Sequence, residues 1–278
     1  MLGAAEIRQL AESIQLRPTK KLGQIFVIDP NTIRKIVSAA NLKSDDVVVE
    51  IGPGLGSLTL GILEVVDQVV VVEIDQRLAS LLPTTIEKHA PGKKVKIVQE
   101  DAMTVSVLPL IPTALVANLP YNISVPVLLH FLETFDSLRF GLVLVQAEVA
   151  HRLAAEPGNK VYGIPSVKLA WYADASLAGN IGRNIFWPAP NVDSALVYFA
   201  KRDAALGTEV ERLDTFAAVD AGFSQRRKTL RQALADWAGS AAKAEEILIA
   251  AEVSPQARAE ELRVGDFLRI AKAKNALG

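Results

Sequence analysis

The chain predicts an α/β protein: a mainly parallel seven-stranded sheet with an antiparallel edge hairpin, followed by a small all-helical C-terminal domain. Three observations carry that expectation. Short apolar runs alternate with helical patterns between residues 47 and 145. Those runs are nearly uninterrupted valine, leucine and isoleucine, as strands covered on both faces are. From Asp203 onward the chain has only helical periodicity, rich in alanine, leucine and charge.

Taken in order, Asp29-Pro30 starts a helix leading into the sheet, because proline at a first helical position has its φ preset and no N–H to lose. Val47 to Ile51 is the first strand, followed by a glycine-rich turn and a helix from about Ser57. Val69 to Ile74 is the second, and Asp75 caps the helix after it. Val95 to Val98, Ala114 to Ala117 and Phe140 to Val145 are the third, fourth and fifth. Right-handed crossovers join strands of this kind. Ala173 to Ile181 and Val192 to Phe199 read as the edge hairpin, with Trp187-Pro188-Ala189-Pro190 as its turn. The expected domains are residues 1–202, carrying the ligand site and an N-terminal extension, and residues 203–278, all helical.

Composition narrows the function. A chain of 278 residues, 50% hydrophobic, can bury a sizeable core. It has no cysteine, which excludes disulfides and thiolate metal sites. His89, His130 and His151 lack metal-ligand spacing, so no metal is expected. Met1 to Leu16 has no signal-type apolar core, and Asp67 and Gln68 interrupt the valines from Val65 to Val72. A cytoplasmic protein with no membrane partner is the expectation. The net charge of -1 argues against global capture of nucleic acid. Recognition of that kind then falls to local clusters: Arg17, Lys20 and Lys21, or Arg226, Arg227, Lys228 and Arg231. A charge run is ordinarily a solvated helix face.

Chemistry gathers at successive strand ends. Glu50 to Ser57 contains Gly52, Gly54 and Gly56, spaced G-x-G-x-G rather than as a dinucleotide fingerprint. Such a turn lets a ligand approach the backbone closely. Glu73 closes the second strand, where a carboxylate can accept both hydroxyls of a ribose. Asp101 follows the third strand and is positioned to accept from an exocyclic amine. Asn118-Leu119-Pro120-Tyr121 follows the fourth: an amide oxygen to accept, a proline to stiffen the turn, and a ring on which a base can stack. Each acid alone is the kind found as a helix cap. Together they mark one sheet edge as a ligand site.

This arrangement resembles the class I, Rossmann-like fold of S-adenosylmethionine-dependent methyltransferases. The resemblance narrows on Lys21 to Phe26, Glu50 to Thr59, Asn118 to Ser124, Gln146 to Val149, Phe186 to Ser194 and Gln225 to Thr229. Those segments occur in the order found in the ribosomal RNA adenine dimethyltransferase family, and the small-subunit branch is the nearest. The likeness runs from about Lys20 to Leu268. It implies N6,N6-dimethylation of adenosines, two adjacent ones in a 3′-terminal hairpin loop of 16S rRNA, within the immature 30S subunit and by a monomer.

By the same resemblance Asn118, Leu119, Pro120, Tyr121 and Phe186 are catalytic, with Tyr121 and Phe186 sandwiching the everted adenine. Ile25, Val27, Gly52, Gly54, Glu73, Asp101 and Asn118 hold the cofactor, and Arg226, Arg227, Lys228 and Arg231, at the start of a helix, hold RNA. Two positions depart from the family. Ile25 stands where relatives usually have asparagine, and Asn191 where they often have lysine. The rival readings are a 23S rRNA adenine methyltransferase conferring macrolide resistance, a DNA adenine methyltransferase, and a mainly non-catalytic ribosome assembly factor. A nicotinamide oxidoreductase is disfavoured by the glycine spacing and by Asn118 to Tyr121.

Overall fold

A computed structural model describes residues 1–18 and 23–278 of the chain. Lys20, Lys21 and Leu22, parts of two of the expected motifs, lie outside the described residues. The chain runs α1 (Ala4–Ser13), β1 (Phe26–Val27), α2 (Pro30–Ala40), β2 (Val47–Ile51), α3 (Ser57–Leu63), β3 (Gln68–Val72), α4 (Gln76–His89), β4 (Val95–Val98), β5 (Ala114–Asn118), α5 (Ser124–Thr134), β6 (Phe140–Gln146), α6 (Ala147–Leu153) and α7 (Ile164–Tyr172). There follow β7 (Ala173–Ile181), β8 (Phe186–Trp187), β9 (Ser194–Lys201), α8 (Glu209–Ser224), α9 (Leu230–Ala233), α10 (Ala235–Ala238), α11 (Ala241–Ala250) and α12 (Val264–Leu277). None of the described helices is long and apolar enough to cross a membrane.

The sheet order is β4-β3-β2-β5-β6-β9-β7. Strands β2 to β6 pair in parallel, and β9 is antiparallel to β6. The order turns back between β2 and β5, because β3 and β4 are added on one side of β2 while β5 and β6 are added on the other. At such a switch point the loops leaving the carboxyl ends diverge and open a crevice. Local chemistry sets the helix starts. Asp29 accepts from the Thr32 amide at 2.9 Å with Pro30 next, and Asp75 accepts from the Arg77 amide at 3.0 Å.

The core lies on the valine-rich strands. Val48, Val69, Val71, Ala114, Val116 and Leu142 are buried with Ile33 and Ile36 of α2, Ile62 of α3 and Leu82 of α4. Each large side chain removed from water in this way contributes roughly 1.5–3 kcal/mol. With both faces covered, these strands have no polar side to alternate. That is why they read as continuous apolar runs.

Three features differ from the sequence reading. Strand β3 stops at Val72, so Glu73 and Ile74 fall in the loop beyond it. Trp187, the first residue of the expected turn, instead forms with Phe186 the strand β8, paired antiparallel with β1 as Phe26↔Trp187 and Val27↔Phe186. The chain also divides as Met1–Ala150 with Ser176–Lys201, and His151–Ala175 with Arg202–Gly278. Residues 151–175 thus belong with the helical unit that resumes at Arg202. Their aromatic side chains explain it. Trp171 and Tyr172 meet Phe216 of α8 edge-on, with ring centroids 6.1 and 6.2 Å apart, and the Tyr162 hydroxyl donates to the Leu262 carbonyl at 2.7 Å.

Candidate active site

The crevice at the switch point is a cavity of about 240 Å³, bordered by residues 23–27, the turn after β2, Glu73 and Ile74, residues 100–103 and the segment after β5. The turn after β2 requires its glycines. Gly52, Gly54 and Gly56 have φ of +66°, +56° and +97°, which side-chain-bearing residues adopt only with strain. At Gly54 a Cβ would also come within 2.8 Å of the Phe26 ring, whereas at Gly52 nothing lies within 4 Å. The backbone at Gly52 is therefore open to close approach by a ligand.

Two buried carboxyls sit beneath this turn. Glu73, 6% exposed, accepts from the Asp75 amide at 2.9 Å and the Gly54 amide at 3.3 Å. Burial pushes its pKa up to about 7, against the pull of those two amides. Glu50, 1% exposed, accepts from the Thr59 hydroxyl at 2.6 Å. Burial pushes it up to about 8, and the neighbouring Glu73 adds to the rise. Asp75 behaves oppositely. The Arg77 guanidinium beside it, at 2.8 Å, holds its carboxyl below the usual range, while Gln24 donates to it at 3.0 Å. Asp101 is exposed, and one of its oxygens accepts from the Met103 amide at 2.9 Å.

Asn118 ends β5. Its Nδ2 donates to the Ile25 carbonyl at 3.0 Å, so the amide is held with Oδ1 left as acceptor. The contact uses the backbone of residue 25, so it is indifferent to the side chain there. Gly23, at φ +61°, presses against the turn after Asn118, where a Cβ would come within 2.8 Å of Pro120 Cβ. The Leu119 amide donates to the Leu144 carbonyl at 3.1 Å, extending the β5–β6 pairing, and Ile123 closes the turn onto the Pro120 carbonyl at 3.2 Å.

Of the residues singled out from sequence, Ile25, Val27, Gly52, Gly54, Glu73, Asp101, Asn118 and Pro120 border the cavity. Leu119 and Tyr121 follow at its edge without lining it. The Tyr121 phenol is hydrogen-bonded to the Ser194 hydroxyl. Phe186 is a correction. It is 3% exposed and packs in the core with Val27 and Ile33, because the β1–β8 pairing draws it inward. It has no free face for a base. The basic cluster is a second correction. Residues 226–228 lie in the turn between α8 and α9 rather than in a helix. Arg226 is bonded to Glu260, at 3.1 Å, and to the Lys160 carbonyl, and Arg231 to Glu245 at 2.6 Å. Arg227 and Lys228 are exposed.

Sequence reasoning passed over Glu50, Ser57, Ile74 and Met103, which also border the cavity. A carboxyl inside a valine strand was the available signal for Glu50. Ile74, 51% exposed although apolar, had one too: its place directly after the strand-end acid. The Ser57 hydroxyl is buried with no hydrogen-bond partner among the described residues, as expected of a group left for a ligand. Among those residues no cluster of three or more His, Asp or Glu suits a metal ion. The cavity thus offers a carboxylate for vicinal hydroxyls, a second for an amine, an open glycine turn and an unpartnered hydroxyl. That donor set fits a nucleoside with a charged tail, and S-adenosylmethionine has that form.

Residues 16–276 match the family model described as ribosomal RNA adenine dimethylase. The ribosomal RNA small subunit methyltransferase A of Streptomyces avermitilis is 59% identical, covering 99% of this chain and 95% of that one. The protein of the same name from Thermobifida fusca is 58% identical, covering 98% and 96%. A crystal structure of a dimethyladenosine transferase from Plasmodium falciparum superposes with a TM-score of 0.74 at 24% identity, covering 87% of this chain and 94% of that one. A 23S rRNA methyltransferase superposes with a TM-score of 0.66 at 24% identity, covering 90% and 99%. At that identity the two structures speak for the shared fold alone.

Proposed function

The chain belongs to the ribosomal RNA adenine dimethylase family, and from that membership we infer that it methylates the N6 amine of adenosine in small-subunit ribosomal RNA with S-adenosylmethionine as donor. The 16S rRNA of the immature 30S subunit is the proposed substrate, acted on by a cytoplasmic monomer. The names of the relatives at 58–59% identity favour this branch over one acting on 23S rRNA. The observation that carries the chemistry is Asn118, whose amide is held by the Ile25 carbonyl with Oδ1 free to accept.

In the proposed site Glu73 accepts the two ribose hydroxyls and Asp101 the adenine amine of the cofactor. The turn at Gly52 and Gly54, with the Ser57 hydroxyl, meets its amino-acid end. Ile25 and Val27 flank the adenosine. When bound, S-adenosylmethionine supplies an electrophilic methyl carbon. An aromatic amine is a weak nucleophile because its lone pair is shared with the ring. Asn118 Oδ1 and the Leu119 carbonyl accept its two N–H groups, turn the lone pair out of the ring plane and stabilise the positive charge that develops on nitrogen. Pro120 keeps the turn rigid, and Tyr121 stacks on the everted base, a contact worth roughly 1–3 kcal/mol. No side-chain base is required, since the N6 proton is acidic after transfer and leaves to water. Arg227 and Lys228, with Arg226 and Arg231 tethered beside them, meet RNA phosphates.

The deciding experiment compares wild type with Asn118→Ala on small subunits lacking the modification, with labelled donor and mass spectrometry of the RNA. Removing one oriented acceptor is expected to lower kcat by about 10²–10³. Calorimetric affinity for S-adenosylmethionine should stay within about twofold, because ribose and adenine are held elsewhere. A mutant with near-normal turnover removes Asn118 from the chemistry. With unmodified large subunits offered in a parallel reaction, label found only in 23S rRNA hands the substrate to the rival reading.

A further inference from the structure

The segment Asn191-Val192-Asp193-Ser194 resembles a family motif, yet nothing in the reaction above uses it. Ser194 is the first residue of β9, opposite Gln146 at the end of β6, and it is fully buried. Its neighbour is pinned on two sides. The Asp193 carbonyl accepts from the Ala147 amide at 2.9 Å, and its carboxylate accepts from the Arg183 amide at 3.3 Å. The Ser194 hydroxyl therefore stands at a fixed point, and the group that meets it is the Tyr121 phenol.

We propose that Ser194 is a positioning residue for methyl transfer: its hydroxyl anchors the Tyr121 phenol and sets the plane of the ring face that receives the everted adenine. The inference rests on the reading of Tyr121 as a stacking platform. Tyr121 is held at its backbone end as well, where its carbonyl accepts from the Ser124 hydroxyl at 3.4 Å, at the first turn of α5. A ring fixed at both ends has little freedom about its side-chain torsions, so the base meets a surface ordered in advance. The phenol does not serve as a proton acceptor. Burial raises its pKa above the ordinary value and the nearby Asp193 charge adds to this, against the opposing Ser194 contact. What its oxygen contributes is attachment.

The test is a double-mutant cycle of Tyr121→Phe and Ser194→Ala, each of which deletes a single oxygen. The readouts are kcat, KM for the small subunit, and the dissociation constant of S-adenosylmethionine. Each single variant should lower kcat by about three- to tenfold, the size of one neutral hydrogen bond, with cofactor affinity unchanged. The double variant should be no worse than either single one. Additive losses, or wild-type kcat in Ser194→Ala, overturn the proposal. A fall in cofactor affinity in step with kcat overturns it too, by making Ser194 merely structural. Tyr121→Ala separates this from the reading beneath it. If Tyr121→Ala is fully active, the ring is not a platform. If Tyr121→Ala is inactive while Tyr121→Phe is fully active, only the anchor fails.

Discussion

Replacing Glu50 with glutamine isolates the most deeply buried carboxyl of the site at almost constant shape. The Thr59 hydroxyl, 2.6 Å from Glu50 Oε2, retains an oxygen to donate to. A carboxyl with an ordinary pKa of 4.5 that stands at about 8 in the folded protein keeps a proton the unfolded chain has lost. Wild-type stability therefore declines as pH rises through that window, with a slope approaching 1.4 kcal/mol per pH unit. By about pH 8 the accumulated loss is a few kcal/mol, and it levels off above that because both states are then ionised. Glu50→Gln lacks this decline, so its stability relative to wild type should climb between about pH 5 and about pH 8 and then stay flat. Glu73 titrates in the same range in both proteins and largely cancels in the difference. Urea unfolding followed by circular dichroism across that range reads the effect. Because Glu50 is protonated at neutral pH, the variant should bind S-adenosylmethionine there within about twofold of wild type. Parallel stability curves for the two proteins would refute the assignment of a neutral, buried Glu50.

Glu73→Gln exchanges a charged acceptor for a neutral one and should weaken S-adenosylmethionine binding by about 10- to 100-fold in calorimetry. In wild type that affinity should fall as pH drops below about 7, where Glu73 takes up its proton; a pH-independent affinity would contradict the ribose role. Gly54→Ala combines a positive φ, about 1–2 kcal/mol, with overpacking against Phe26, about 1–3 kcal/mol, while Gly52→Ala carries the first alone. Thermal denaturation should rank Gly54→Ala well below Gly52→Ala, and equal melting points would refute the Phe26 contact. Removing both Arg227 and Lys228 should reduce the salt slope of RNA binding by about 1.4–1.8, at roughly 0.7–0.9 per phosphate contact. Arg226→Ala should chiefly lower stability, since its guanidinium is already bonded to Glu260 and the Lys160 carbonyl. A slope unchanged in the Arg227 and Lys228 double variant places the RNA elsewhere.

The primary structure alone was enough for the strands β2 to β6, the helix caps at Asp29 and Asp75, the glycine turn, and the acids at the strand ends. Each of these is a local matter: a buried strand needs a short apolar run, a cap needs a carboxylate one turn from its amides, and a left-handed turn needs glycine. The family resemblance assigned roles to those positions, including Asn118. What remained hidden joins residues far apart along the chain. The pairing of Phe26 and Val27 with Phe186 and Trp187 turned a presumed base-stacking ring into core, and residues 151–175 went to the helical unit because their aromatic faces find Phe216. The carbonyl of Ile25 that orients Asn118, the Ser194 hydroxyl on Tyr121, and the glutamates that hold Arg226 and Arg231 are of the same kind. Chain-local geometry leaves a pattern in the order of residues. The choice among many possible distant partners is settled only when burial and hydrogen bonding are satisfied throughout the molecule at once.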